Sequence, residues 1–247
     1  MSQPLGTLVK AMDVLDALGE LAPIGVLELA RDLELDKSAV SRILITYRSR
    51  GYVRVTEDGR YDIGLRLFEL GQVIQERMPF RDTIIPHVDT LARETGETVF
   101  SVHYDQGEIA YLYDRVSTQD IRLGERAGTR VSPWNHVAGK VILAHHDEAD
   151  VLDALSVARR SHRKGLPTSD SFRRELIKIR KQGYATARDT EKFLLAVPIL
   201  KEPGRVSAAL MLGGPSFRIA SSQSKRLAKL FIQHAREISN SLGWITK

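Results

Sequence analysis

The chain contains no cysteine. That excludes a disulfide framework, a thiolate metal site and a cysteine nucleophile, and makes a reducing compartment the expected home. Long apolar runs are missing as well: the richest stretches, "LLAVPIL" and "VSAALML", fall far short of the ~18 residues a membrane span needs. The opening "MSQPLGTLVKAMDVLDALGE" carries acids where a signal peptide has its apolar core, so the cytoplasm is the expected location, with no membrane partner. No Gly-x-Ser-x-Gly, His-Glu-x-x-His, Gly-x-Gly-x-x-Gly or P-loop sequence occurs, and no enzyme and no cofactor are expected.

What is present describes an ordinary globular chain. Its 247 residues suit two domains of unequal size, and 43% hydrophobic with 27% charged residues exclude disorder. A formal charge of +5 suggests an anionic partner, but its placement says more. Residues 1–75 hold nine bases against eleven acids, yet between Lys37 and Arg66 seven bases face only Glu57, Asp58 and Asp62. The positive charge is focused on one patch.

Around that patch the apolar spacing predicts three helices. Leu8, Met12, Leu15 and Leu18 mark the first, which "APIG" breaks. "VLELARDL" is the second, burying Val26, Leu29, Ala30 and Leu33. Asp36 is placed to cap the third with its carboxylate, and Val40, Ile43, Leu44 and Tyr47 form the inward stripe of that helix. Gly51 ends it, and "YVRVTEDGRYDI" alternates as two strands around Asp58-Gly59. Three helices and a hairpin make a winged helix-turn-helix, whose third helix offers its N-terminal side chains to the major groove while the wing approaches the backbone. The candidate DNA-binding residues are therefore Lys37, Ser38, Ala39, Ser41, Arg42 and Arg48 on the helix, with Arg54 and Arg60 on the wing. Basic side chains neutralise phosphate and read guanine edges, and serines at a helix start donate to phosphate oxygens. The bland alternative is a solvated charged face; against it, acids are missing from this one.

Beyond the wing, Leu65, Leu67, Phe68, Leu70, Val73 and Ile74 are apolar on every side, as in a linker helix buried against another copy, and Pro79 interrupts it. A helix from Arg81 or Asp82 to Thr95 carries the stripe Ile84-Val88-Leu91-Ala92 and stops at Gly96. Then "TVFSVHY", "EIAYLYDRV" and "DIRLGE" read as strands, "HVAGKVILAHH", "ADVLDALSVARR" and "SFRRELIKIRKQG" as helices, the last capped by Thr168-Ser169-Asp170. "YATARD", "LLAVPIL" and "RVSAALMLGG" return to strands around a Pro203-Gly204 turn, and a long amphipathic helix follows. The expectation is an α+β protein: residues 1–78 a winged helix-turn-helix with linker helix, residues 79–247 a larger α+β domain with a curved antiparallel sheet.

These residues resemble the IclR-type transcriptional regulators. The first part matches in Ser38-x-x-x-Arg42, Gly51-Tyr52-Val53, Gly59-Arg60-Tyr61 and Gly64-x-x-Leu67. The second matches in "LARETGETV", Ala138-Gly139-Lys140-x-x-Leu143-Ala144, Gly183-Tyr184-Ala185, Ala196-Val197-Pro198 and Gly214-Pro215. The resemblance implies a homodimer, often a tetramer, joined through winged domains and linker helices, whose larger domain binds a small organic effector and shifts affinity for double-stranded DNA. A symmetric dimer reading an inverted-repeat operator as a repressor is the expected form.

The effector side departs from the family. Trp134-Asn135-His136-Val137 stand where a small-residue run is usual, "EKFLLAVP" is shortened, and Met211 and Gly213 occupy a strand that often offers small polar side chains. A reshaped, more apolar and aromatic pocket follows, with Arg130, Trp134, Asn135, His136, Val137, Asp189, Glu191, Met211 and Gly213 as candidate effector contacts and an aromatic or apolar acid as the ligand. Other readings stay open: a capped loop for Trp134, solvent for Arg130, a solvated carboxylate pair for Asp189 and Glu191. His145 and His146 beside Asp147 and Glu148 look metal-like, but adjacent histidines at a helix end point apart, and no metal site is expected. The rival to the regulator is an interaction module whose winged domain binds protein and whose larger domain binds nothing.

Overall fold

In the computed structural model, residues 4–77, 81–124, 128–160, 167–202 and 205–243 are described. Contacts divide the chain into two units, residues 1–79 and 80–247.

In the smaller unit, helix α1 (Gly6–Leu21) buries Val14 and Leu18, while Leu8, Val9 and Met12 from the N-terminal half of its stripe are exposed. Helix α2 (Val26–Asp32) contributes Leu29 and Ala30, and α3 (Lys37–Ser49) contributes Val40 and Leu44 with Ile43 and Tyr47 packed alongside. The Tyr47 hydroxyl donates to Ala11 O at 2.6 Å, pinning α3 to α1. Asp36 occupies the cap position of α3, but its side chain makes no capping bond. Its carbonyl, not its carboxylate as expected, receives the first amides, those of Ala39 and Val40.

Strands β1 (Val53–Val55) and β2 (Tyr61–Ile63) pair antiparallel with Arg54 opposite Asp62, and Ile24 bridges to Tyr61 on the far side. The wing turn spans Thr56 to Arg60, closed by Thr56 N donating to Arg60 O at 2.8 Å. Helix α4 (Leu65–Glu76) leaves Leu65, Phe68, Leu70, Val73 and Ile74 exposed. Pro79, expected to interrupt the linker, lies outside the described residues.

The larger unit is a six-stranded antiparallel sheet in the order β5-β4-β3-β8-β7-β6. Its strands are β3 (Thr98–Asp105), β4 (Glu108–Arg115), β5 (Arg130–Val131), β6 (Ala185–Arg188), β7 (Lys192–Glu202) and β8 (Arg205–Pro215). The register shifts at Ser101/Val102 and at Ile199/Leu200; such bulges increase twist, and the sheet curls. Its strands are apolar on both faces because helices cover both, and alternation sorts the side chains. Phe193, Leu195, Val197, Leu210 and Leu212 meet α5 (Arg81–Thr95) and α9 (Ser224–Ser241). Phe100, Val102, Tyr111, Leu194, Ala196 and Met211 meet α6 (Val137–Leu143), with α7 (Glu148–Arg160) and α8 (Ser169–Gln182) beyond. Thr168 caps α8, its hydroxyl accepting from Ser171 N.

Helix α5 has the expected bounds and buries the four residues its stripe names. "DIRLGE" is a correction: residues 120–124 form no strand, and the short edge strand falls at Arg130–Val131. The Pro203-Gly204 turn lies outside the described residues.

Candidate nucleic-acid interface and effector site

Helix α3 packs inward through Val40, Leu44, Ile43 and Tyr47, so its geometry turns Ser38, Arg42, Ile45 and Ser49 to the opposite side. Lys37, Ser38, Arg42 and Arg48 are exposed, with Ala39 and Ser41 half-buried on the flanks. Among the described residues Lys37, Arg42 and Arg48 have no ion-pair partner. The wing arginines differ. Arg54 Nη2 lies 2.5 Å from Asp62 Oδ2, which holds that carboxyl below the usual range, and Arg60 Nη2 lies 2.9 Å from Glu28 Oε2. The helix thus presents unengaged cations, and the wing presents neutralised ones.

Ile45 is the residue that charge reasoning passes over. It is 58% exposed in the middle of the α3 outer face, where an apolar side chain gains nothing from the fold. An apolar contact of this kind reads the thymine methyl in the major groove. The signal was available as an isoleucine three positions beyond Arg42 on the polar stripe.

In the larger unit, the inner sheet face and the start of α6 bring together part of the candidate effector set. Gly139 lets that helix approach its own entry loop: a Cβ there would collide with Pro133 O and Cα. Trp134 is buried, and His136 Nε2 lies 3.0 Å from the Tyr111 hydroxyl, whose ring stands edge-on to Phe100. Burial, with Lys192 nearby, lowers the pKa of His136 to about 4, so its imidazole is neutral near pH 7. Two polar atoms here, Trp134 Nε1 and His136 Nδ1, are buried without a hydrogen-bond partner among the described residues. Buried polar atoms in native proteins are nearly always satisfied, so two unpaired ones two residues apart in sequence stand out.

Residues 7–57 match the IclR helix-turn-helix domain, and residues 72–240 match the bacterial transcriptional regulator IclR C-terminal domain. The chain belongs to the IclR family of bacterial transcriptional regulators. It is 28% identical over 246 residues to the HTH-type transcriptional regulator KdgR of Escherichia coli, covering 97% of this chain and 94% of that one. The IclR protein of Thermotoga maritima superposes with a TM-score of 0.74 at 26% identity, over 96% of this chain and 99% of the other. An IclR homolog from Microbacterium hydrocarbonoxydans, solved in complex with 4-hydroxybenzoate, shares the fold at a TM-score of 0.80 and 21% identity, over 96% and 99% of the two chains. The family consists of DNA-binding regulators, not enzymes, and no helix among the described residues is long and apolar enough to cross a membrane.

For this IclR-family chain, the expected effector residues do not all converge. Met211 lies fully buried beside Phe100, and Val137 is buried in the same cluster. Gly213 is roofed: a Cβ there would run into the side chain of Leu123, which descends from the β4–β5 connection. That connection is held by Arg218, which pairs with buried Glu97 and donates to Ile121 O at 2.9 Å. Asn135 is exposed.

Three candidates have partners of their own. Arg130 stands on the edge strand with Asp105 at 2.9 Å and Glu108 at 3.7 Å, clamping the β3–β4 hairpin from outside. Asp189 and Glu191 fall in the β6–β7 turn and not on a strand, so alternation does not align them. Asp189 Oδ1 accepts from the Glu191 and Lys192 amides, both at 2.8 Å, which lowers its pKa and occupies it in the turn. His146 sits between Asp150 Oδ2 and Val206 O.

Proposed function

We propose that this regulator is a repressor that binds an inverted-repeat operator as a homodimer, through Lys37, Ser38, Ala39, Ser41, Arg42 and Arg48 of α3 and Arg54 and Arg60 of the wing. Residues 1–78 serve DNA binding and residues 79–247 serve effector binding and further assembly. The observation that carries the reading is the outer face of α3, with exposed cations unpaired among the described residues and Ile45 open between them. Dimerisation is supported by the apolar faces of α1 and α4. Exposed apolar side chains such as Leu8 and Met12 on α1 and Phe68 and Ile74 on α4 are characteristic of a covered interface, and an isologous pair places two α3 helices on two half-sites.

The larger unit takes a small aromatic or apolar acid beside Trp134, His136 and Val137. The unpaired Trp134 Nε1 hydrogen is a donor to a carboxylate, neutral His136 is a second polar contact, and Phe100 and Met211 supply the apolar floor. That a relative of the same fold was solved with 4-hydroxybenzoate supports this class of ligand.

Selection of bound fragments from random DNA at two salt concentrations tests the DNA reading. An enriched inverted repeat whose retention falls steeply with salt is the expected result, because phosphate contacts release counterions. No enrichment at either salt, with or without a panel of aromatic acids, sinks it in favour of the protein-binding module. The same panel tests the pocket: a ligand that binds only the folded state raises the melting temperature, and no rise at saturation removes the effector class.

A further inference from the structure

Three side chains distant in sequence converge on the α5–α9 face of the larger unit. His87 comes from α5, and His234 and Glu237, three residues apart, come from α9. The two imidazoles stand edge to face with Nδ1 to Nδ1 at 2.8 Å, and Glu237 Oε2 is 3.7 Å from His87 Nδ1. One ligand atom from each lies within 4.8 Å of the other two. Neither α3 nor the inner sheet face shares any of these residues.

Two ring nitrogens at this separation require one to bear the hydrogen and the other a lone pair. Two imidazoles and a carboxylate form the nitrogen-and-oxygen donor set of zinc and its borderline neighbours, whereas calcium and magnesium take oxygen ligands. We propose that His87, His234 and Glu237 form a zinc-class transition-metal site that joins α5 to α9. In a tetrahedral zinc site with Zn–N near 2.0–2.1 Å the nitrogens stand roughly 3.3 Å apart. The rings therefore part by about half an ångström, and Glu237, half exposed, swings in. A fourth position remains for water. The helices cover one whole face of the sheet, so the ion stiffens the layer on that face.

The test uses the full-length protein stripped by a chelator and titrated with Zn2+ against a chromophoric competitor, with thermal unfolding in parallel. One zinc per chain and a melting temperature that climbs with zinc are expected. His87→Asn with His234→Asn weakens binding by more than about a hundredfold, beyond what loss of a merely supporting residue produces. His145→Asn with His146→Asn leaves it unchanged. Should the double variant not fold, Glu237→Gln, on the surface, still lowers affinity about tenfold or more, and Co2+ in the wild type gives a tetrahedral visible spectrum. No zinc uptake by the wild type, or equal affinity in the ligand variants, overturns the site and leaves a plain His87–His234 hydrogen bond.

Discussion

The outer face of α3 and the inner face of the large sheet are both assigned to binding, and they are built in opposite ways. On α3 the side chains stand in solvent, Lys37, Arg42 and Arg48 unpaired among the described residues, and the fold gains nothing from them. On the sheet, Phe100, Tyr111, Trp134 and Met211 are core residues, and Leu123 lies over Gly213. The first surface is complete before its partner arrives and can be altered without touching stability. The second is part of the core, so altering it changes folding and binding together.

The largest expected effect tests the second half of that contrast. Gly139→Ala drives a methyl into the Pro133 backbone and lowers stability by about 4 kcal/mol, read from urea unfolding, with DNA contacts unchanged in kind. Next comes acid. The pKa of His136 is about 4 folded against 6.5 unfolded, so between those values the unfolded chain takes up the proton first. Its contribution is complete above pH 6.5 and declines as pH falls toward 4, by about 3 kcal/mol in total. His136→Gln should flatten that part of the stability curve, and an unaltered pH dependence would place the proton elsewhere.

On the α3 side, stability should stay level while affinity moves. Arg42→Ala is expected to weaken operator binding by roughly 1–3 kcal/mol in titrations with specific and random duplexes. Equal loss on both duplexes would reassign Arg42 to phosphate. Ile45→Ala costs about 1 kcal/mol, and only at half-site positions bearing thymine; replacing thymine by uracil removes the difference. Smallest is Arg54→Ala, below about 1 kcal/mol and alike on all sequences, because Asp62 already holds the guanidinium in an exposed pair.

Local periodicity made most of the fold legible. Helix α5 could be delimited from Ile84, Val88, Leu91 and Ala92 because both ends carry their own punctuation. "DIRLGE" misled by the same logic: Ile121 and Leu123 alternate like a strand, but Ile121 is 61% exposed and Leu123 folds onto the sheet. What holds that segment, the Glu97–Arg218 pair, joins residues 121 apart and leaves no local pattern. In the candidate site, the α3 face could be read because helix spacing fixes which side chains share a side. Arg130, Asp189 and Glu191 could not, because whether a charged residue faces a cavity or ties a turn depends on neighbours that only the tertiary fold supplies.

The ion pairs of the wing bear on how the protein finds its site in a genome. A reader covered in free cations adheres to every stretch of duplex and is held away from its target by sheer excess of wrong sequence. Here Arg54 and Arg60 already have carboxylates, and a phosphate must compete with Asp62 or Glu28 to recruit them. On the proposed docking of the wing, that competition would limit grip on random DNA and shorten each wrong encounter.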